Sequence, residues 1–163
     1  TANGSGTIAL SNQLSGMTGA SMPSGSVLQV VDQTFVQNVS TTSTSWVSTG
    51  ITASITPSST SSKILVLVQD SMYLNIAQQW ASWTVFRGSV SGTNLGHATR
   101  GFASFEFATG NDMTSGTSIS VLDSPSTASA QTYTVGFKTT GGTTYSGQFG
   151  LVRCGITLME IQG

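Results

Sequence analysis

Few side chains in this sequence are equipped for catalytic or ligand chemistry. His97 and Cys154 are single, and the acids are Asp32, Asp70, Glu106, Asp112, Asp123 and Glu160. A nucleophile–base–acid set can be drawn from any of many serines with His97 and Asp70 or Asp123, but no G-x-S-x-G turn accompanies it. His97 lies in the turn-rich stretch "TNLGHATRG", which suits an exposed loop residue better. Glycoside hydrolysis needs two facing carboxylates. Most of the acids fall in loops or at strand ends and look solvated; Glu106, inside "SFEF", has no evident partner. One His and one Cys more than fifty residues apart form no metal-ligand cluster. "TGNDMTSG" lacks the acids of a calcium loop, and "TTGGTTYSG" lacks the Lys-Ser/Thr ending of a phosphate-binding loop. The expectation is no enzyme, no metal and no cofactor. Cys154 reads as a small buried filler, and alone it permits no intrachain disulfide.

Binding chemistry has better material. Tyr73, Trp80, Trp83, Phe102, Phe105, Phe107 and Tyr145 fall in the middle and late strands and loops. Most such rings pack in cores or interfaces, but aromatics that anchor a partner or stack on sugars come from the same pool. Trp80, flanked by Gln78 and Gln79, is the best candidate for a wet ring. Asn94 and Arg100 follow in a connecting loop that could add polar contacts. Tyr73, Trp80, Asn94, Arg100 and Tyr145 are therefore the tentative surface-binding set.

Sheets must position these residues. Ser and Thr fill roughly a third of the 163 positions, there are 19 Gly, and only 7% of residues are charged. β-branched and aromatic residues suit a pleated surface, and the best formers of exposed helix are scarce. The reading is an all-β protein in one domain. Residues 1–25 look like an extended stalk or linker closed by the turn at Pro23-Ser24-Gly25. Short strand-like runs follow over 26–163, at 26–31, 34–39, 45–55 (with a break possible at Gly50), 63–69, 80–86, 101–107, 117–122, 132–138 and 154–161. Their spacing is that of a sandwich or barrel. A helix is conceivable only over 72–81.

Several of these strands are apolar on both faces. In "KILVLVQ", Ile64, Val66 and Val68 alternate with Leu65 and Leu67. Trp83 and Val85 oppose Phe86, and Ile156 and Leu158 oppose Met159 and Ile161. Doubly apolar strands normally sit beneath covering helices, and none are available. The expected cover is another copy of the chain, with Leu65, Leu67, Phe86, Met159 and Ile161 at the interface. A loop of the same chain laid over the second face is the alternative.

A formal net charge of −1 with five scattered cations argues against nucleic acid as a partner. No stretch reaches the roughly 18 apolar residues of a membrane helix, and no charged-then-apolar signal segment opens the chain. A start at Thr1 is what a fragment or a processed product would show.

Five segments in order, "SMPSGSVLQVV", "TGITASITPSSTSSKILVLV", "VFRGSVSGTNLG", "VLDSPSTASAQTYTVGFKT" and "GITLMEI", resemble the C-terminal region of tail-fibre and related appendage proteins of tailed, notably marine, phages. The resemblance covers roughly Ser21 to Ile161. It implies a homotrimeric jelly-roll knob, similar to the tumour-necrosis-factor and complement-globular-head type. It also implies a virion location, attachment to other virion proteins through the stalk, and recognition of a bacterial surface glycan or protein. Residues 71–81 and 97–116 match no shared pattern and are where receptor specificity could reside. The competing expectation is a head fibre, capsid decoration or tail connector that assembles but reads no receptor.

Overall fold

The computed structural model describes residues 22–163 apart from Asn111. The expected stalk therefore lies largely outside the described residues. Eleven strands follow: β1 Val27–Val36, β2 Val39–Thr41, β3 Val47–Ile55, β4 Lys63–Leu74, β5 Ala81–Arg87, β6 Thr93–Asn94, β7 Ala103–Phe105, β8 Met113–Asp123, β9 Gln131–Thr139, β10 Thr144–Ser146 and β11 Arg153–Ile161. No α-helix occurs among them. Residues 72–74 extend β4, and the chain then turns into β5.

Two antiparallel sheets face each other. In the first, β4 is central, with β8 along one edge and β11 and β10 in succession along the other; β1 flanks β11 and β2 flanks β10. The second runs β3-β9-β5, with β6 and β7 sharing the free edge of β5. The pairings are nested in sequence: β1 with β11, β3 with β9, β4 with β8, and β5 with β6 and β7. A long antiparallel ribbon rolled into two sheets gives this order, which is that of a jelly roll. β3 runs unbroken through Gly50, the possible break, and the disturbance there is a bulge: φ is +89, and the β3–β9 register slips between Ser48 and Thr52.

Alternation decides what is inside. Ile64, Val66 and Val68 are buried with Ile156 and Leu158 from β11, and they meet Ile51, Trp83, Val85, Val135 and Phe137 of the facing sheet. Trp83 is fully buried, stacked on Phe105 with centroids 6.2 Å apart and tilted against Phe137 at 5.6 Å.

Three acids that look solvated in sequence are buried. Asp70 accepts four hydrogen bonds, from Trp83 Nε1 (3.0 Å), Ser146 Oγ (2.6 Å) and the backbone N–H groups of Ser71 (2.8 Å) and Gly147 (3.1 Å). Burial nevertheless outweighs these donors and holds its carboxyl above the ordinary range. Asp123 pairs with Arg87 at 3.1 Å and accepts from the Tyr133 hydroxyl at 2.8 Å. Glu160, 1% exposed, accepts from Ser58 N–H and Gln29 Nε2 (both 2.6 Å) and the Ser58 hydroxyl (2.7 Å). Each acid thus ties together segments distant in sequence and is occupied structurally.

Cys154 is the buried filler anticipated, with its Sγ 3.7 Å from the Phe35 carbonyl oxygen. Burial pushes its thiol up to about 11. Native protein is therefore expected to give almost no reaction with a thiol-specific disulfide reagent at pH 8, and one thiol per chain after unfolding. Complete reaction within minutes under native conditions would show that β11 is not packed as described.

Candidate functional site

The outer faces of the two sheets differ. On the first, cross-strand register aligns Val30 of β1, Met159 of β11, Leu65 of β4 and Leu122 of β8 into one apolar row spanning four strands. Val30 is 55% exposed and Leu122 52%, with Leu65 and Met159 half-buried between them. Leu67 and Ile161 lie one step to either side along the strands, both half-buried. Four of the five expected interface residues thus share one face.

The fifth, Phe86, does not. It lies on the outer face of the second sheet, is 3% exposed and is covered by its own chain. Trp46 meets it edge-on at 6.0 Å, and its ring lies so close over Gly136 that a Cβ there would sit 2.6 Å from Phe86 Cε2. Beside it, residues 95–102 loop back across Thr84. Gly101 (φ +67) approaches the backbone of Trp83 so closely that an added Cβ would lie 2.1 Å from its carbonyl oxygen. On this sheet the loop-cover alternative holds, and Phe86 is withdrawn from the interface set.

The five tentative binding residues do not form one site. Asn94 Oδ1 accepts from Thr84 Oγ1 at 2.6 Å and from Gly96 N–H at 3.0 Å, so it braces the loop. Tyr73 and Tyr145 pair across β4 and β10 on the first sheet with centroids 5.3 Å apart, and Phe149 joins them at 5.0 and 5.3 Å. Phe149 is delivered by a single turn, Gln148–Gly150, in which Gly147 to Gly150 all have positive φ (84, 36, 58 and 74). Left-handed backbone costs roughly 1–2 kcal/mol at each non-glycine residue. The gain is a half-exposed ring set beside the two tyrosines. A groove of about 320 Å³, lined by Asp32, Leu67, Gln69, Arg153 and Thr157 around the bare Gly155, separates this trio from the apolar row.

Trp80 and Arg100 do come together. The guanidinium carbon lies 3.8 Å from the centre of the Trp80 ring. Next to them, Lys138 Nζ sits 4.5 Å from the centre of the Trp46 ring, and Trp46 Nε1 donates to the Ala98 carbonyl oxygen at 3.2 Å. Partial burial and the charge of Arg100 lower the Lys138 pKa from its ordinary value. Ser82 and Ser104, which share a 2.9 Å hydrogen bond, and Thr140 rim this cluster of two indoles and two cations. Trp46 and Lys138 were invisible to local sequence reasoning, because only the β3–β9 register places them side by side. His97 is exposed, and its Nδ1 accepts from Thr99 and Arg100 N–H, which shapes the loop carrying Arg100.

Position completes the geometry. Gly25 N–H donates to the Gln162 carbonyl oxygen, and Val27 pairs Ile161, which pairs Lys63. The described chain therefore enters and leaves at one end of the sandwich. The Trp80 and Tyr73 clusters occupy the opposite end, joined by the short turn between β4 and β5.

Among the described residues, no cluster of three or more His, Cys, Asp or Glu could hold a metal ion, and no helix is long and apolar enough to cross a membrane. No protein-family model matches the chain, and no curated protein matches it. Solved structures similar to it include the infectious bursal disease virus VP2 subviral particle (10% identity, 83% of this chain covered, TM-score 0.48), infectious bursal disease virus Gt strain (13%, 85%, 0.45) and its Gx strain (15%, 83%, 0.42). The chain spans 33%, 38% and 32% of those proteins, about a third of their length.

Proposed function

We propose that this domain is the homotrimeric knob of a phage virion fibre and adsorbs to a host surface, acting by adhesion and not by turnover. The observation that carries the reading is the row Val30–Met159–Leu65–Leu122, left to solvent by a chain that covers the equivalent face of its other sheet. Apolar side chains aligned across four strands are matched by the same row on sibling subunits, as in an obligate interface. The sequence resemblance to phage appendage proteins supplies the number three and the virion setting. With the chain entering at one end, the aromatic clusters point away from the attachment. Weak contacts at three tips, repeated over several fibres, would add through multivalency.

The test is direct binding of fluorescently labelled domain to host cells. Saturable binding that competes with phage adsorption is expected. Assembly without any cell binding would favour the purely structural role of a head fibre, capsid decoration or tail connector.

A further inference from the structure

We infer that the Trp46–Lys138–Arg100–Trp80 cluster is a subsite for a carboxylate-bearing saccharide, a hexuronate-type sugar of an acidic glycan; the inference rests on the host-surface reading and names its ligand class. The chain has only five cations, and two of them, Arg100 and Lys138, are gathered at one tip. Among the described residues the one ion pair is Arg87 with Asp123, so neither tip cation has a carboxylate partner. Nor do the described hydrogen bonds include one donated by the Arg100 guanidinium or the Lys138 ammonium, although Arg87 spends its donors on Asp123 and Ser124. Two like charges held together without a counter-ion are a standing cost, which a bound anion removes.

The chemistry selects the anion. A guanidinium offers paired N–H donors in the geometry of a carboxylate, and its stacking on Trp80 restrains the fork before any ligand arrives. Lys138, poised over Trp46, supplies a second point charge. Indole rings beside the cations add apolar surface for the C–H groups of a pyranose. A neutral sugar would use the rings and leave the cations unrelieved. A nucleic acid would demand a longer track of cations than a chain of net charge −1 provides.

The test is calorimetric titration of the intact domain with oligogalacturonate and with a neutral malto-oligosaccharide of equal length. Oligogalacturonate should bind at least about tenfold more tightly and weaken with salt. Arg100→Ala and Lys138→Ala should each lose at least about tenfold, the loss expected on removing a charge-assisted hydrogen bond. Lys63→Ala, a cation at the far end, should bind as the parent does, and unchanged thermal transitions would show that the tip variants fold. Equal affinity for both sugars, no binding of the uronate, or full binding by either tip variant overturns the subsite. Cell adsorption, measured in parallel, separates the two readings. Adsorption that persists without uronate binding sinks the subsite alone, whereas uronate binding without adsorption leaves the subsite standing and removes the host-surface role.

Discussion

Trp83→Ala is expected to lower the unfolding free energy by about 4 kcal/mol, a large share of the 5–15 kcal/mol that a typical domain has. The indole is fully buried and packed between Phe105 and Phe137 at the centre of the sandwich, so its removal opens a cavity that neighbouring strands cannot close. It also takes one of four donors from the Asp70 carboxylate, whose burial already raises its pKa. Trp83→Phe separates the two effects, since it keeps most of the ring and removes the N–H. Its cost should be nearer about 1–2 kcal/mol. Urea unfolding at one fixed protein concentration measures both, because stability in an oligomer depends on concentration. Equal costs for the two variants would mean that the hydrogen bond to Asp70, and not packing, holds this centre.

Leu65→Glu is expected to convert the proposed trimer to monomers while leaving the sandwich folded. Leu65 sits in the middle of the apolar row, flanked by Met159 and Leu122. Within an assembly, each copy would bury an unpaired carboxylate at a cost of several kcal/mol, and three copies would converge there. In the single chain the same side chain lies on an outer face and is half-buried, so the fold tolerates the change. Light scattering should report the mass falling to that of one chain, with the strand-type circular dichroism retained. Phe86→Glu is the contrasting case. Because Trp46 and Gly136 of the same chain enclose Phe86, that substitution should unfold the domain.

Most strands were legible because alternation is local, although Val27–Val36 is one strand where two runs, 26–31 and 34–39, are expected from the sequence. Ile64, Val66 and Val68 announce the buried face of β4 and leave Leu65 and Leu67 on the other, and the structure places them so. What covers the second face was not legible. Phe86 and Leu65 look alike in sequence, yet one is roofed by Trp46 from forty residues upstream and the other is not. β10 was missed because Thr144 to Ser146 resemble turn punctuation; they become a strand only because β4 and β2 bracket them. The buried acids escaped for the same reason, since Asp70 draws its donors from Trp83, Ser146 and Gly147. Of the tentative binding set, Trp80 and Arg100 lie together in the structure. Trp46, Lys138 and Phe149 were not named, because long-range register and a left-handed turn create their positions.

The mass of the unmodified chain in dilute solution, measured by light scattering, bears on all of this most directly. Three times the 16.8 kDa chain mass, unchanged on dilution through the micromolar range, is the expected result. A single-chain mass that persists as the protein is concentrated, with no loss of solubility, would contradict it, because Val30, Met159, Leu65 and Leu122 would then face water in the working state.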